Sequence, residues 1–219
     1  MKKAESVQVL KQMNELMAKT LVARKPIKPP QFPKSTYDEE TLCLMLSDCQ
    51  IGLKTPTFNL KVFQERIMRY VHHINVILRK ERRSIPIKNC VVFFLGDILH
   101  SDIVGRFLTL EEFEATVIEQ WEKYALPNFE MLFGELLKMF QKVEVYCVSG
   151  NHGNYQKISE ADNWDSFLYK TLKLLFRNEP RIHFEISEGF NLMVTVMGWK
   201  FHMAHGDQMS CYNGIPLAK

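Results

Sequence analysis

From about residue 35 onward the chain alternates short, nearly unbroken apolar runs with longer stretches where apolar residues recur every three or four positions. The runs Thr41–Leu46, Cys90–Leu95 (CVVFFL) and Val143–Val148 (VEVYCV) predict strands. Strands this apolar point to a sheet covered on both faces. Between them the three-to-four spacing predicts a helix from about Asn59 to Arg83. A second is predicted from Thr109, where Thr109-Leu110-Glu111-Glu112 has capping-box spacing, towards Gln141 with a break at Pro127. The last third changes character: a helix over Trp164–Phe176 precedes runs at His183–Ile186, Phe190–Val196 and Trp199–Ala204. Met197-Gly198 reads as the turn of a hairpin, and Gly214–Lys219 as a loop. The class is α/β, with sequential antiparallel strands added after the helical part.

The beginning of the chain stands apart. Val7, Leu10, Met13, Met17 and Leu21 mark one apolar stripe of an amphipathic helix. Pro26, Pro29, Pro30 and Pro33 follow, and proline fixes an extended path without backbone donors. The division is therefore a helical arm and Pro-rich basic linker over residues 1–34, and a domain over residues 35–219. The arm can dock on that domain, pair with a second copy as a homo-oligomer, or continue a domain upstream.

With 219 residues, 46% hydrophobic and 24% charged, the chain fits one globular domain plus an extension. Five cysteines without CxxC spacing imply reduced thiols and a cytoplasmic setting. Cys43, Cys90 and Cys147 lie in apolar runs and are expected in the core. No apolar run approaches the roughly 18 residues of a membrane span, and the first residues lack a secretory signal pattern. A net charge of +3 does not by itself indicate nucleic acid.

Chemistry concentrates where the strands end. The first run leads into Ser47-Asp48-Cys49-Gln50, and the second into Gly96-Asp97-Ile98-Leu99-His100. The third leads into Gly150-Asn151-His152-Gly153, and a later one into His205-Gly206-Asp207. Each alone is compatible with an ordinary turn or helix cap, and His100, His183 and His202 taken singly read as structural. Together they bring carboxylates, carboxamides and imidazoles to one sheet edge, where α/β proteins bind ligands. These are hard or borderline donors suited to Mn, Fe, Zn or Mg.

Asp48-x-Gln50, Gly96-Asp97, Gly150-Asn151-His152 and His205-Gly206, in this order, resemble the motifs of calcineurin-like metallophosphoesterases. The resemblance spans residues 41 to 207 and is closest in look to phage and prokaryotic members grouped with DNA-repair exonucleases. It implies a four-layer αββα sandwich with mixed sheets and two divalent metal ions, Mn first among them. It further implies that Asp48 and Gln50 serve one metal, Asp97 bridges both, and Asn151 and His205 hold the other. His152 then faces the scissile phosphate as the catalytic residue. The implied reaction is hydrolysis of phosphodiester bonds, those of DNA first, by a metal-activated hydroxide in the cytoplasm of a bacterial or phage-infected cell. Arg106 and His100 are the candidate substrate contacts.

Three features depart from that family's pattern. Gln50 stands where histidine is usual, and Gly153 follows His152 where an acidic residue is usual. The family's Gly-His-x-His does not follow His205 before Lys219. The chain is therefore expected to be a shortened enzyme, to complete its site from another chain, or to keep the fold as a scaffold without the reaction. A small-molecule phosphatase or pyrophosphohydrolase, with Ser101–Gln141 as a substrate cap, is the other enzymatic reading. Basic residues at Arg79, Lys80, Arg82 and Arg83, and Lys25, Lys28 and Lys34 in the linker, either contact phosphates or, at the helix end, answer the helix dipole.

Overall fold

The structure is a computed structural model and describes residues 15, 17, 19, 21–32, 38–101, 113–154, 163–189, 191–207, 209–212 and 215–218, the last two segments by backbone alone. Four strands, β1 (Glu40–Leu46), β2 (Ile87–Phe94), β3 (Lys142–Cys147) and β4 (Ile182–Ile186), form a sheet in sequence order. All its neighbouring pairs are parallel. Helical crossovers make the parallel order possible. They are α1 (Leu60–Glu81), the run α2 (Val117–Glu119) to α3 (Leu126–Met139), and α4 (Trp164–Leu175). A hairpin, β5 (Asn191–Val196) and β6 (Trp199–Ala204), forms a separate antiparallel sheet, as do β7 (Met209–Tyr212) and β8 (Ile215–Ala218). Neither kind of sheet mixes strand directions. None of the described helices is long and apolar enough to cross a membrane.

Alternation along β2 explains why its sequence is apolar throughout. Cys90, Val92 and Phe94 face the helices, in one core with Phe129, Phe133, Leu136 and Tyr169. Val91 and Phe93 face the other way, in a second core with Tyr146, Val148, Val194, Val196 and Met203. The predicted two-sided sheet is therefore present, with helices on one face and the β5–β6 hairpin on the other. The hairpin turns at Met197 and Gly198, whose φ values of 51° and 84° are the two left-handed residues a tight right-twisted turn requires.

Several sequence expectations need correction. The helix expected from Thr109 begins at Val117; residues 102–112, with the Thr109 capping box and Arg106, lie outside the described residues. Phe113 instead bridges Leu53, and Thr116 with Glu119 makes the capping box. Pro127 does not break the helix. A π-helical segment, Gln120–Ala125, immediately precedes it, and its wider turn absorbs the missing amide and the ring. Ile215–Ala218 is a strand paired with Met209–Tyr212 rather than a loop. Cys90 and Cys147 are buried, but Cys43 is exposed because it lies on the β1 face turned away from the helices.

The Pro-rich linker is not suspended in solvent where it is described. Arg24 pairs with Glu130 at 3.1 Å and lies 5.6 Å above the Phe176 ring. The Ile27 amide donates to Glu179 at 2.8 Å, and Arg181 donates to the Ile27 carbonyl at 2.5 Å. Residues 1–14, with most of the predicted arm, lie outside the described residues.

The start of α1, predicted near Asn59, carries a side-chain cap. The Asn59 side chain accepts the Val62 amide at 3.0 Å. Asn59→Ala is expected to cost about 1 kcal/mol, read as a lower urea midpoint with unchanged slope.

Candidate metal centre

Parallel register levels the strand ends. Leu46 pairs with Phe94, and Phe94 with Cys147, so the loops that follow leave the sheet side by side. The ladder continues into them: the Asp48 amide donates to the Gly96 carbonyl at 3.1 Å, and Gln50 to Asp97 at 2.9 Å. Asp48, Gln50 and Asp97 take φ values of 50°, 41° and 54°. Non-glycine residues are uncommon in this left-handed region, and strain of this kind gathers at binding sites. Gly96 and Gly150 let the loops after β2 and β3 cross with no space between them. A Cβ on Gly96 would meet the Gly150 backbone, and one on Gly150 would meet Asp97.

Asp48, Asp97 and His205 each present a ligating atom, all within 4.8 Å of one another. Asp97 is buried, its Oδ1 accepting the His152 amide at 2.8 Å. His205 arrives from the end of β6. Its Nδ1 donates to the Leu95 carbonyl at 2.8 Å, leaving Nε2 3.1 Å from Asp97 Oδ2 and 3.2 Å from Asn151 Oδ1. A backbone carbonyl that fixes Nδ1–H turns Nε2 into the ligating nitrogen. Two carboxylates, an imidazole of fixed tautomer and an adjoining carboxamide suit a divalent cation of the hard to borderline kind. Asp48, Asp97, Asn151 and His205 are thus brought together. Gln50 joins them through its backbone, by the bond to Asp97.

His152 lies beside this group with its side chain 24% exposed and Nε2 3.7 Å from Asp97 Oδ2. Its Nδ1 meets His100 Nδ1 at 2.9 Å. His100 itself is buried against Phe113, and its backbone is gripped at both ends by the Gln120 carboxamide. Burial, then the adjacent His152, pushes His100 down to about 4. His100 is therefore neutral at ordinary pH and reaches the site's open side through His152.

One residue of the site carried no recognisable sequence signal. Asp165 is completely buried and accepts four backbone amides: Asp97 at 2.9 Å, Ile98 at 3.1 Å, Leu99 at 3.0 Å and Gly150 at 3.1 Å. In the sequence it reads only as an acidic residue in the first turn of α4, where the helix dipole favours one. The basic residues at the end of α1 lie at the opposite sheet edge. Arg82 there donates to the carbonyls of Ile87, the first residue of β2, and Met139, and stacks between Phe32 and Phe140. That guanidinium is occupied by the fold.

Electrostatics tie His205 to Asp97. The Asp97 hydrogen bond raises His205 to about 9 against the opposing effect of burial. Burial disfavours the Asp97 carboxylate, but the His205 bond, the His152 amide and both imidazoles outweigh it and hold the carboxyl below its usual range. For the metal-free protein, the His205 contribution to stability is complete below its ordinary value of 6.5 and disappears as pH rises through about 9. The Asp97 contribution is present above its ordinary value of 3.8 and fades at lower pH. Burial pushes Asp165 up to about 6, so its change of charge falls below the His205 window. In EDTA the thermal midpoint is expected to drop between pH 6.5 and 9, and His205→Gln should flatten that slope. Equal slopes would show that the pair carries no linkage.

Comparison of the chain with protein-family models, with curated proteins and with solved structures found no match.

Proposed function

We propose that this chain is a metal-dependent phosphoesterase of the calcineurin-like kind that hydrolyses phosphodiester bonds, with DNA as the first substrate class. The observation that carries the reading is the convergence of Asp48, Asp97 and His205 within 4.8 Å beyond the ends of β1, β2 and β6, with Asn151 and His152 adjoining. On this reading the β5–β6 hairpin belongs to the second sheet of a four-layer αββα sandwich. Asp48, Asp97, Asn151 and His205 hold divalent cations, two in number with Asp97 shared and Mn2+ first among Mn, Fe, Zn and Mg. A cytoplasmic setting belongs to the same proposal.

Bound cations supply Lewis acidity towards a phosphoryl oxygen and lower the pKa of water. The chain's own residues do the positioning. Asp97 is fixed by its buried loop, and His205 is fixed through Leu95 so that Nε2 faces the carboxylates. His152, backed by the neutral His100 ring, directs its exposed edge to a phosphoryl oxygen, where a proton on Nε2 stabilises developing charge or passes to the leaving oxygen.

The test is hydrolysis of a bis-aryl phosphate diester, of single- and double-stranded DNA and of an aryl monoester, with and without Mn2+. Turnover of diesters that requires Mn2+ supports the reading. Cleavage of the monoester alone would move the substrate to small phosphate esters. No Mn2+ binding and no turnover would overturn the enzymatic reading and leave a scaffold on this fold.

A further inference from the structure

We infer that Asp165 is the positioning residue of the candidate metal centre, acting through backbone amides rather than by touching a cation or substrate. This rests on the proposed metal site and adds what holds it in shape. Oδ2 of Asp165 accepts the amides of Asp97 (2.9 Å) and Gly150 (3.1 Å). Oδ1 accepts those of Ile98 (3.1 Å) and Leu99 (3.0 Å). One carboxylate thus binds two of the loops that carry candidate ligands, the loop after β2 with Asp97 and the loop after β3 with Asn151.

The geometry explains the left-handed backbone at Asp97, φ 54°. Three consecutive amides, from Asp97, Ile98 and Leu99, turn towards one point, and only a buried anion or its equivalent accepts them all. The α4 terminus is stitched to the same place by its neighbours. Asn163 donates to the Gly150 carbonyl at 2.7 Å and accepts the Asp165 amide at 2.8 Å, while the Trp164 amide donates to Gly153 at 2.7 Å. Gly153 has no room for a Cβ, because Asn163 and Asp165 fill the space. That packing accounts for a glycine after His152.

Groups that orient metal ligands alter affinity by about ten- to a hundredfold when removed. Asp165→Asn keeps size but turns an amino group towards two of the four amides. Its Mn2+ dissociation constant, from titration calorimetry well below the melting temperature, is expected to rise by about that factor. Leu172→Ala serves as control, since Leu172 is fully buried in the same helix and touches neither loop through a hydrogen bond. It should lower the thermal midpoint and leave Mn2+ affinity within about twofold. Equal affinity in wild type and Asp165→Asn would overturn the inference.

Hydrogen exchange of the metal-free wild type gives a second arm that depends on neither a variant nor a metal. The amides of Asp97, Ile98, Leu99 and Gly150 should exchange as slowly as those of central β2. Exchange at exposed-loop rates would overturn the positioning role. If wild type binds no Mn2+, the metal reading fails, and the exchange result still decides what Asp165 does.

Discussion

Asp97→Asn is expected to reduce Mn2+-dependent diester hydrolysis by about a thousandfold or more, while the protein stays folded. The magnitude follows from the several kcal/mol of charge stabilisation that a well-held cation contributes, each 1.4 kcal/mol being about tenfold in rate. Asparagine keeps one oxygen to accept the His152 amide, an interaction seen at 2.8 Å, so the loop retains its anchor. It removes the negative charge and replaces the second oxygen, the one 3.1 Å from His205 Nε2, by a donor or forces the amide to flip. Either way the carboxylate charge is lost, and of the triad only Asp48 and His205 keep their ligating groups unchanged. The measurement is kcat/KM for the bis-aryl diester at saturating Mn2+, alongside circular dichroism. Retention of more than about a tenth of the activity, in a folded variant, would rule out Asp97 as the shared ligand.

The parts of this picture that were legible in the sequence share one physical property: they are local. CVVFFL is apolar at every position because β2 meets helices on one face and a hairpin on the other. The start of α1 near Asn59 was legible because the three-to-four apolar spacing of a helix is a local pattern. The candidate ligands were visible because each follows a strand directly, and for those after β1, β2 and β3 parallel register brings the strand ends level. What stayed hidden depends on partners distant in sequence. Asp165 meets Asp97 across 68 residues, and His205 finds Leu95 across 110. Nothing near Asp165 distinguishes an anion that orders a site from one that answers a helix dipole. For Arg82 the sequence offered a phosphate contact or an answer to the helix dipole, and neither anticipated that Ile87, Met139 and two aromatic rings hold it. Pro127 was expected to interrupt a helix because the rule assumes α geometry in the turn before it, and here that turn is π-helical.

Gly96→Ala is expected to destabilise the fold by about 3 kcal/mol and to weaken Mn2+ binding with it, although no candidate ligand changes. Two costs combine. Gly96 has φ +90°, a conformation that costs an L-residue roughly 1–2 kcal/mol. Its Cβ would also press on the Gly150 backbone, and overpacking of a rigid contact costs roughly 1–3 kcal/mol. The neighbour cannot yield cheaply, because the Gly150 amide is already bound to Asp165 at 3.1 Å and its carbonyl to Asn163 at 2.7 Å. Gly198→Ala separates the two costs. Gly198 has a comparable φ of +84° but nothing within 4 Å of the added methyl, so only the backbone part, about 1 kcal/mol, should appear. Urea midpoints of both variants, with and without Mn2+, check this directly. A loss at Gly96 no larger than at Gly198 would mean that the two loops do not press together. A larger loss, accompanied by weaker Mn2+ stabilisation at Gly96 alone, would tie the close crossing of the loops to the geometry that Asp97 and Asn151 need.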